Sequence, residues 1–150
     1  MFTYNIYPWL FIGAIIYFFL SAYLGSARKF YDKYSWWDRL VHFLSGFLYV
    51  SFGVALSGIK VGLNAFDIAL FSFTFSVTIH VFWEIIEYTT DCIKKSNHQR
   101  WQKKHDSINH QAKDALQPAG LVDTMNDTIM CVIGSALAST IWGVFLTVWL

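Results

Sequence analysis

The sequence predicts an all-α polytopic membrane protein with four transmembrane helices, and its composition and its long apolar stretches are the observations that predict it. Hydrophobic residues make up 55% of the 150 positions, and charged residues make up only 14%. Soluble domains usually carry about 25% charged residues because their surface faces water. The polar residues in this chain are too few to cover a globular surface, so part of that surface must face lipid.

Four apolar stretches are long enough to cross a bilayer, at about residues 7–24, 40–59, 66–88 and 129–150. A hydrocarbon core of about 30 Å needs roughly 20 helical residues. The alternating pattern of a membrane barrel strand is absent, which leaves helices as the spanning elements. We therefore expect residues 1–150 to form one four-helix domain, with a polar loop at about 91–120 between the third and fourth helices.

The basic residues predict the orientation of the helices. Ten of the eleven Lys and Arg residues lie in the first and third connections, and only Lys60 lies in the second. Short loops rich in Lys and Arg stay in the cytoplasm. We therefore expect both basic loops inside the cell and both termini outside. The loop histidines His98, His105 and His110 are expected to be solvated. The chain has no basic stripe of the kind that binds nucleic acid, so a nucleic-acid partner is not expected.

Six of the ten acidic residues gather at the helix ends that are predicted to face the cytoplasm. With one histidine they form three groups, one on each of the last three helices: Asp38 with His42, Glu84 with Glu87 and Asp91, and Asp123 with Asp127. Spacings of three, four or seven residues place each group on one helical face, and His80 extends the second group by one turn. A charge that faces lipid costs about 2.5–3.5 kcal/mol. The three polar faces are therefore expected to face one another.

Six carboxylates in one pocket repel one another, and protonation or bound divalent cations would relieve the repulsion. Oxygen and imidazole ligands suit Zn, Mn, Fe or Mg. The sequence therefore predicts a site for one or two divalent ions, with seven candidate ligands: Asp38, His42, Glu84, Glu87, Asp91, Asp123 and Asp127. His42 and Glu84 are the candidate catalytic residues, as ligand or general base. The simpler explanation for Asp38 and Asp123 is that each caps a helix.

The same residues carry a resemblance to known families. The chain reads WD-x-L-x-HF-x-x-G from Trp37, WE-x-x-E from Trp83 and DT-x-x-D from Asp123, continuing to Gly134. In this order the motifs resemble the YjdF-type family of uncharacterised small inner-membrane proteins and, more distantly, VanZ-like membrane proteins. The resemblance implies a place in the bacterial plasma membrane. VanZ-like proteins are associated with glycopeptide resistance and the cell envelope, which implies envelope lipids or lipid-linked intermediates.

Three functions are compatible with these features. The first is a metal-dependent hydrolase of a lipid or lipid-linked substrate, whose anionic headgroup the basic loops would attract. The second is an ion- or proton-coupled transporter, with the stripe from His80 to Asp91 as a relay. The third is a metal-stabilised resistance or binding module without catalysis. Membrane lipids and a small-molecule or lipid-linked substrate are the expected partners, and four helices leave room for a homo-oligomer. The sequence does not decide whether the protein is an enzyme.

Overall fold

The computed structural model describes residues 3–57, 63–99 and 119–149, and every regular element in these ranges is helical. The elements are α1 (Thr3–Phe18), which continues as π-helical turns over Phe19–Ala27, the short α2 (Phe30–Lys33), α3 (Trp37–Ser57), α4 (Ala65–Lys94) and α5 (Ala119–Trp149). Four spans, with α1 and its π-helical turns counted as one, are long and apolar enough to cross a membrane. The predicted all-α fold with four membrane-spanning helices is therefore confirmed.

Two of the helices extend beyond the apolar runs that predicted them. Helix α4 continues past residue 88 to Lys94, and α5 begins at Ala119, well before residue 129. The added turns contain polar residues, so the apolar run that predicted each span ends before the helix does. Asp123 and Asp127 therefore lie within α5. Of the loop predicted at 91–120, residues 100–118 lie outside the described residues.

The first span ends in wide turns that its sequence pattern did not predict. The backbone N–H of Arg28 donates to the Tyr23 carbonyl, five residues back, at 2.9 Å, which is the bonding of a π-helix. Gly25 lies against the ring of Tyr31, where a Cβ atom would overlap the ring. Lys29 then adopts a left-handed conformation with φ of 59° and leads into α2. The missing side chain of Gly25 thus lets the chain fold back closely on itself.

Helix α3 is the centre of the bundle. It packs against α1, α4 and α5, and α4 and α5 also pack against each other. Of the other long helices, the described part of α1 brings its backbone close to α3 alone. At the end of the bundle away from the carboxylates the core is apolar, with Ile6, Leu10, Val50, Val54, Ala55, Ile68, Ala138 and Leu146. The bundle therefore has one apolar end and one polar end.

Two glycines bring the backbones of α3 and α5 into direct contact. A Cβ atom at Gly46 would lie 2.5 Å from the Cys131 carbonyl oxygen, and one at Gly134 would overlap the carbonyl oxygen of Phe43. Small residues allow such close helix packing in membranes. His42 lies four residues before Gly46, and Asp127 lies four residues before Cys131. The glycine contact therefore sets the distance between these two site residues, one helical turn away.

Buried serines bond across the same contact. The Ser76 hydroxyl of α4 donates to the Gly46 carbonyl at 3.3 Å and lies 2.8 Å from the Ser135 hydroxyl of α5. Ser45 donates to the His42 carbonyl at 2.7 Å. The Ser45 bond lies within α3, whereas the Ser76 bonds join α3, α4 and α5 inside the bundle.

We predict that Gly46→Ala destabilises the bundle, because the added methyl group meets backbone atoms that cannot move aside. Overpacking of this kind costs about 1–3 kcal/mol. Thermal unfolding in detergent measures the effect, with Gly143→Ala as the matched control, since a Cβ at Gly143 would lie an acceptable 3.4 Å from the Ala69 Cβ. Equal midpoints for the two variants would contradict the proposed close contact.

Candidate metal centre

His42 joins the polar groups of α3 and α5. Its Nε2 lies 3.5 Å from Asp38 Oδ1, one turn earlier on α3, and 3.7 Å from Asp127 Oδ2 of α5. These distances exceed the usual hydrogen-bond range of about 2.7–3.2 Å. They are close to the edge of roughly 3.4 Å that separates ligand atoms placed tetrahedrally about 2.1 Å from a metal ion. His42 and Asp127 are buried, and the Asp38 side chain is only 14% exposed.

A second group shares His42 and adds two residues of α4. His80 Nε2 lies 3.5 Å from Glu84 Oε1, and the His80 ring packs edge-on against the His42 ring with centroids 5.2 Å apart. One donor atom from each of His42, His80 and Glu84 lies within 4.8 Å of the others, as in the group of Asp38, His42 and Asp127. The structure thus brings two three-residue donor sets together around one histidine.

Several buried polar atoms of the second group lack a hydrogen-bond partner among the described residues. They are His80 Nε2 and both carboxylate oxygens of Glu84. The Thr124 hydroxyl approaches Glu84 without reaching hydrogen-bond geometry. A buried polar atom without a hydrogen-bond partner destabilises the folded protein by about 1–3 kcal/mol. Coordination of a cation by these atoms would remove that destabilisation.

The charges of the two groups also fit a cation. The three carboxylates of Asp38, Glu84 and Asp127 outnumber the two imidazoles of His42 and His80. Negative charge therefore remains in excess even if both rings are protonated, and a bound divalent ion would neutralise it. Oxygen and imidazole donors in this mixture suit Zn, Mn, Fe or Mg.

Two of the predicted ligands lie at the edge of the two groups. Glu87 is half-buried and accepts a hydrogen bond from Trp83 Nε1 at 2.7 Å. It lies near enough to His42 and Asp38 to interact with their charges. Asp123 is half-buried, and its charge acts on Glu84 and Asp127. Neither contributes a donor atom to either three-residue group.

Asp91 has a different environment from the other predicted ligands. It is buried, and it accepts hydrogen bonds from the Ser96 hydroxyl, from the backbone N–H groups of His98 and Gln99, and from His98 Nδ1, all at 2.8–2.9 Å. Both of its carboxylate oxygens are thus engaged by the chain that follows α4.

His98 is bound to Asp91, although its side chain is 51% exposed, so it is not simply solvated. The next residue extends the connection, because Gln99 Nε2 donates to the Thr124 hydroxyl of α5 at 2.9 Å. The segment after α4 is therefore tied to both α4 and α5 at the polar end of the bundle. The other two loop histidines, His105 and His110, lie outside the described residues.

One residue that was not among the predicted ligands, His80, joins the site, and Trp37, the sequence neighbour of a predicted ligand, is buried with an indole that makes no hydrogen bond to the described residues. His80 lies four residues before Glu84, on the polar stripe that the sequence predicted for this helix. It is buried, with 1% of its surface exposed, and it belongs to the second donor group. Trp37 precedes Asp38 in the WD motif, and its indole Nε1 is buried without a hydrogen-bond partner in the described ranges. The i, i+4 spacing was the available signal for His80, whereas tryptophans near a helix end usually indicate interfacial anchoring.

Comparison with known proteins places this architecture in a family. The family model described as "Predicted membrane protein (DUF2238)" matches residues 1–148. The chain belongs to this family. An uncharacterised protein of Thermotoga maritima is 28% identical over 118 residues, which are 77% of this chain and 52% of that protein. The chain thus spans about half the length of that relative. No solved structure matches the chain significantly.

Membership of the DUF2238 family agrees with the resemblance to a family of uncharacterised membrane proteins. It shows an integral membrane protein, in line with the four spanning helices. The family description names no reaction, so the chemistry of the DUF2238 chain has to be inferred from its site residues.

We predict that Asp91→Ala frees the segment after α4, because four donors lose their acceptor. Hydrogen–deuterium exchange at the amides of His98 and Gln99 should become faster, while the helical amides of α3 keep their protection. Asp32→Ala, which removes an exposed carboxylate of α2, is the matched control. Unchanged exchange at His98 and Gln99 in Asp91→Ala would contradict the role of Asp91 as their acceptor.

Proposed function

We propose that this protein binds a divalent metal ion between α3, α4 and α5 and uses it to hydrolyse a lipid or lipid-linked substrate of the cell envelope. One observation carries the proposal: the donor atoms of Asp38, His42 and Asp127 converge at ligand-to-ligand distances, beside the buried carboxylate of Glu84, which accepts no hydrogen bond from the described residues. A site built only for stability would pair its buried charges and leave no donor atoms over.

Asp38, His42 and Asp127 are the proposed ligands of the ion. Three protein ligands leave a coordination position open, which is typical of catalytic sites, whereas structural sites are usually closed by four. A bound divalent ion would act as a Lewis acid and make water acidic enough to supply hydroxide near neutral pH. The polar end of the bundle, where the spans end, is the depth at which a lipid headgroup lies.

Glu84 is the proposed general base. Its oxygens are free of hydrogen bonds within the described structure, and it lies next to the ligand His42 in the shared group. His80, 3.5 Å from Glu84 Oε1, would orient this carboxylate. With a second ion present, His80 and Glu84 would serve as its ligands instead, so the number of ions per chain decides between the two roles.

The packing supports the hydrolase more than the two alternatives. An ion-coupled carrier needs a polar path from the site to the opposite face of the membrane. Beyond His80, Ser72, Ser76 and Ser135 already bond within the bundle. The far end has an apolar core, and Ser139 is a single buried hydroxyl without a hydrogen-bond partner among the described residues there. A non-catalytic module would not need a buried carboxylate that accepts no hydrogen bond, as Glu84 is in the described structure.

We predict that the purified protein carries at least one divalent ion per chain, measured by inductively coupled plasma mass spectrometry in a chelator-free preparation. Asp127→Asn should weaken binding by at least about 10–100-fold, the effect of losing even an outer-shell partner. Asp67→Asn is the matched control, because Asp67 is exposed at the opposite end of α4. Wild-type protein without stoichiometric metal would overturn the proposal.

We predict that vesicles of bacterial envelope lipids release a water-soluble product when the metal-loaded protein is reconstituted into them. Glu84→Gln should slow release by about 10²–10⁴-fold, the usual contribution of a general base, while keeping the metal if one ion is bound. Asp67→Asn, at the opposite end of the same helix, should change the rate little. Liquid chromatography with mass spectrometry detects the product, and release that persists in a chelator or in Glu84→Gln would argue against hydrolysis at this site.

A further inference from the structure

A groove with a volume of about 510 Å³ runs along the bundle between α1, α3 and α5. One face of α1 forms one wall, from Ile6 to Leu20, with lining residues at intervals of three or four. The opposite wall includes Leu44 and Phe47 of α3 and Trp142 of α5. The groove lies at the side of the bundle where the described part of α1 approaches α3 without approaching α5. It lies within the spanning segments, so it faces the interior of the bilayer.

The lining offers almost only hydrocarbon surface. Its half-buried polar side chains already have partners inside the bundle. The Trp142 indole donates to the Ser51 hydroxyl at 3.1 Å, that hydroxyl donates to the Phe47 carbonyl, and the Tyr17 hydroxyl bonds to Tyr49. Gly13 widens the middle of the groove: a Cβ there would make an ordinary contact of 3.5 Å with Leu48 Cδ1, so larger side chains at this position would fill the space. The groove is therefore suited to an apolar chain without a polar group along its length.

The dimensions of the groove distinguish an acyl chain from a helix. From Ile6 to Leu20, α1 rises about 21 Å at 1.5 Å per residue, which exceeds the roughly 15 Å of hydrocarbon in one leaflet. The whole open space of the groove, up to its mouth, is about 1170 Å³, which over this length is a mean cross-section of about 56 Å². A helix about 10 Å across needs roughly 80 Å². A helix of a second copy of the chain is therefore too wide to lie inside the groove, whereas one hydrocarbon chain is slender enough to enter.

Exposed positive charge lies beyond the end of the groove that Leu20 and Leu44 line. Arg28 and Lys29 follow the π-helical turns of α1, and both are exposed. Arg39 is exposed at the start of α3, on the same i, i+4 stripe as Phe43 and the groove residue Phe47. Basic groups at this depth attract anionic lipid headgroups. Arg39 also directly follows Asp38, so a headgroup held there would lie at the same depth as the metal centre, about 100° around α3 from Asp38.

We infer that the groove holds the acyl chain of an anionic phospholipid, and that this lipid is the substrate class of the metal centre. The lipid enters sideways from the leaflet at the polar end, its chain lies between α1 and α3, and its phosphate reaches Arg39. The substrate assignment rests on the proposed hydrolase function, whereas the binding of the lipid does not require the metal.

The test is the lipid that the protein retains from membranes of equal parts phosphatidylglycerol and phosphatidylcholine, counted per chain by native mass spectrometry. Wild type should retain about one lipid, with phosphatidylglycerol several-fold preferred. Gly13→Phe should reduce retention of both lipids at least tenfold by filling the groove, and Arg39→Gln should remove the preference while total retention stays. The matched controls are Ile15→Phe, on the exposed opposite face of α1, and Lys94→Gln, an exposed charge at the end of α4; both should behave as wild type.

Each outcome separates the lipid site from the metal site. Retention that is unchanged in Gly13→Phe, or chains that copurify as dimers and take up lipid only on dissociation, would overturn the groove assignment. Metal content is measured on the same samples. Protein that retains lipid but no metal would contradict the proposed function and leave the lipid site standing. If Gly13→Phe loses the lipid yet releases product from vesicles at the wild-type rate, the lipid is a resident of the groove and not the substrate.

Discussion

Ionisable side chains inside a membrane protein must face one another, and this constraint organises the DUF2238 chain. A carboxylate facing lipid is costly, and a buried one that lacks a partner is costly as well. Helices α3, α4 and α5 each carry a polar stripe, so the three must meet along those stripes. Helix α3 contacts both of the others and holds His42, the residue shared by both donor groups. The contact of Gly46 and Gly134 then fixes the spacing of α3 and α5 within one turn of the site.

The same constraint explains why α1 lies apart. None of its described side chains belongs to the two donor groups, and its backbone approaches α3 alone among the long helices of the described ranges. A helix without a polar stripe has no ionisable side chains that must be buried away from lipid, so van der Waals packing holds it in place. The apolar groove beside α1 is a result of this looser attachment. The donor groups therefore lie on α3, α4 and α5, whereas the apolar groove is the feature to which α1 contributes.

Hydropathy and spacing predicted the four spans and the three polar groups, because both depend on local sequence. Other features could not be predicted in this way. Asp91 and Glu84 lie on one stripe of α4, yet Asp91 accepts hydrogen bonds from the segment that follows the helix. That segment is not helical, so helical spacing could not predict the contact. The start of α5 at Ala119 was missed because its first turns contain polar residues that lie outside the apolar run from which the span was predicted. The π-helical turns depend on the contact of Gly25 with Tyr31, which no periodicity reveals.

The division of the site among three helices has a consequence for how the protein is made. Asp38 and His42 enter the membrane with the second span, whereas Asp127 belongs to the last one. About 90 residues separate the end of α3 from the end of α5, which takes roughly 5 to 20 seconds of synthesis at 5–20 residues per second. During that interval the polar face of α3, joined later by that of α4, lies in the bilayer without the helix that completes the site. The cost of placing ionisable groups in lipid is therefore greatest while the chain is still being made, before the helices that bury these groups are in place.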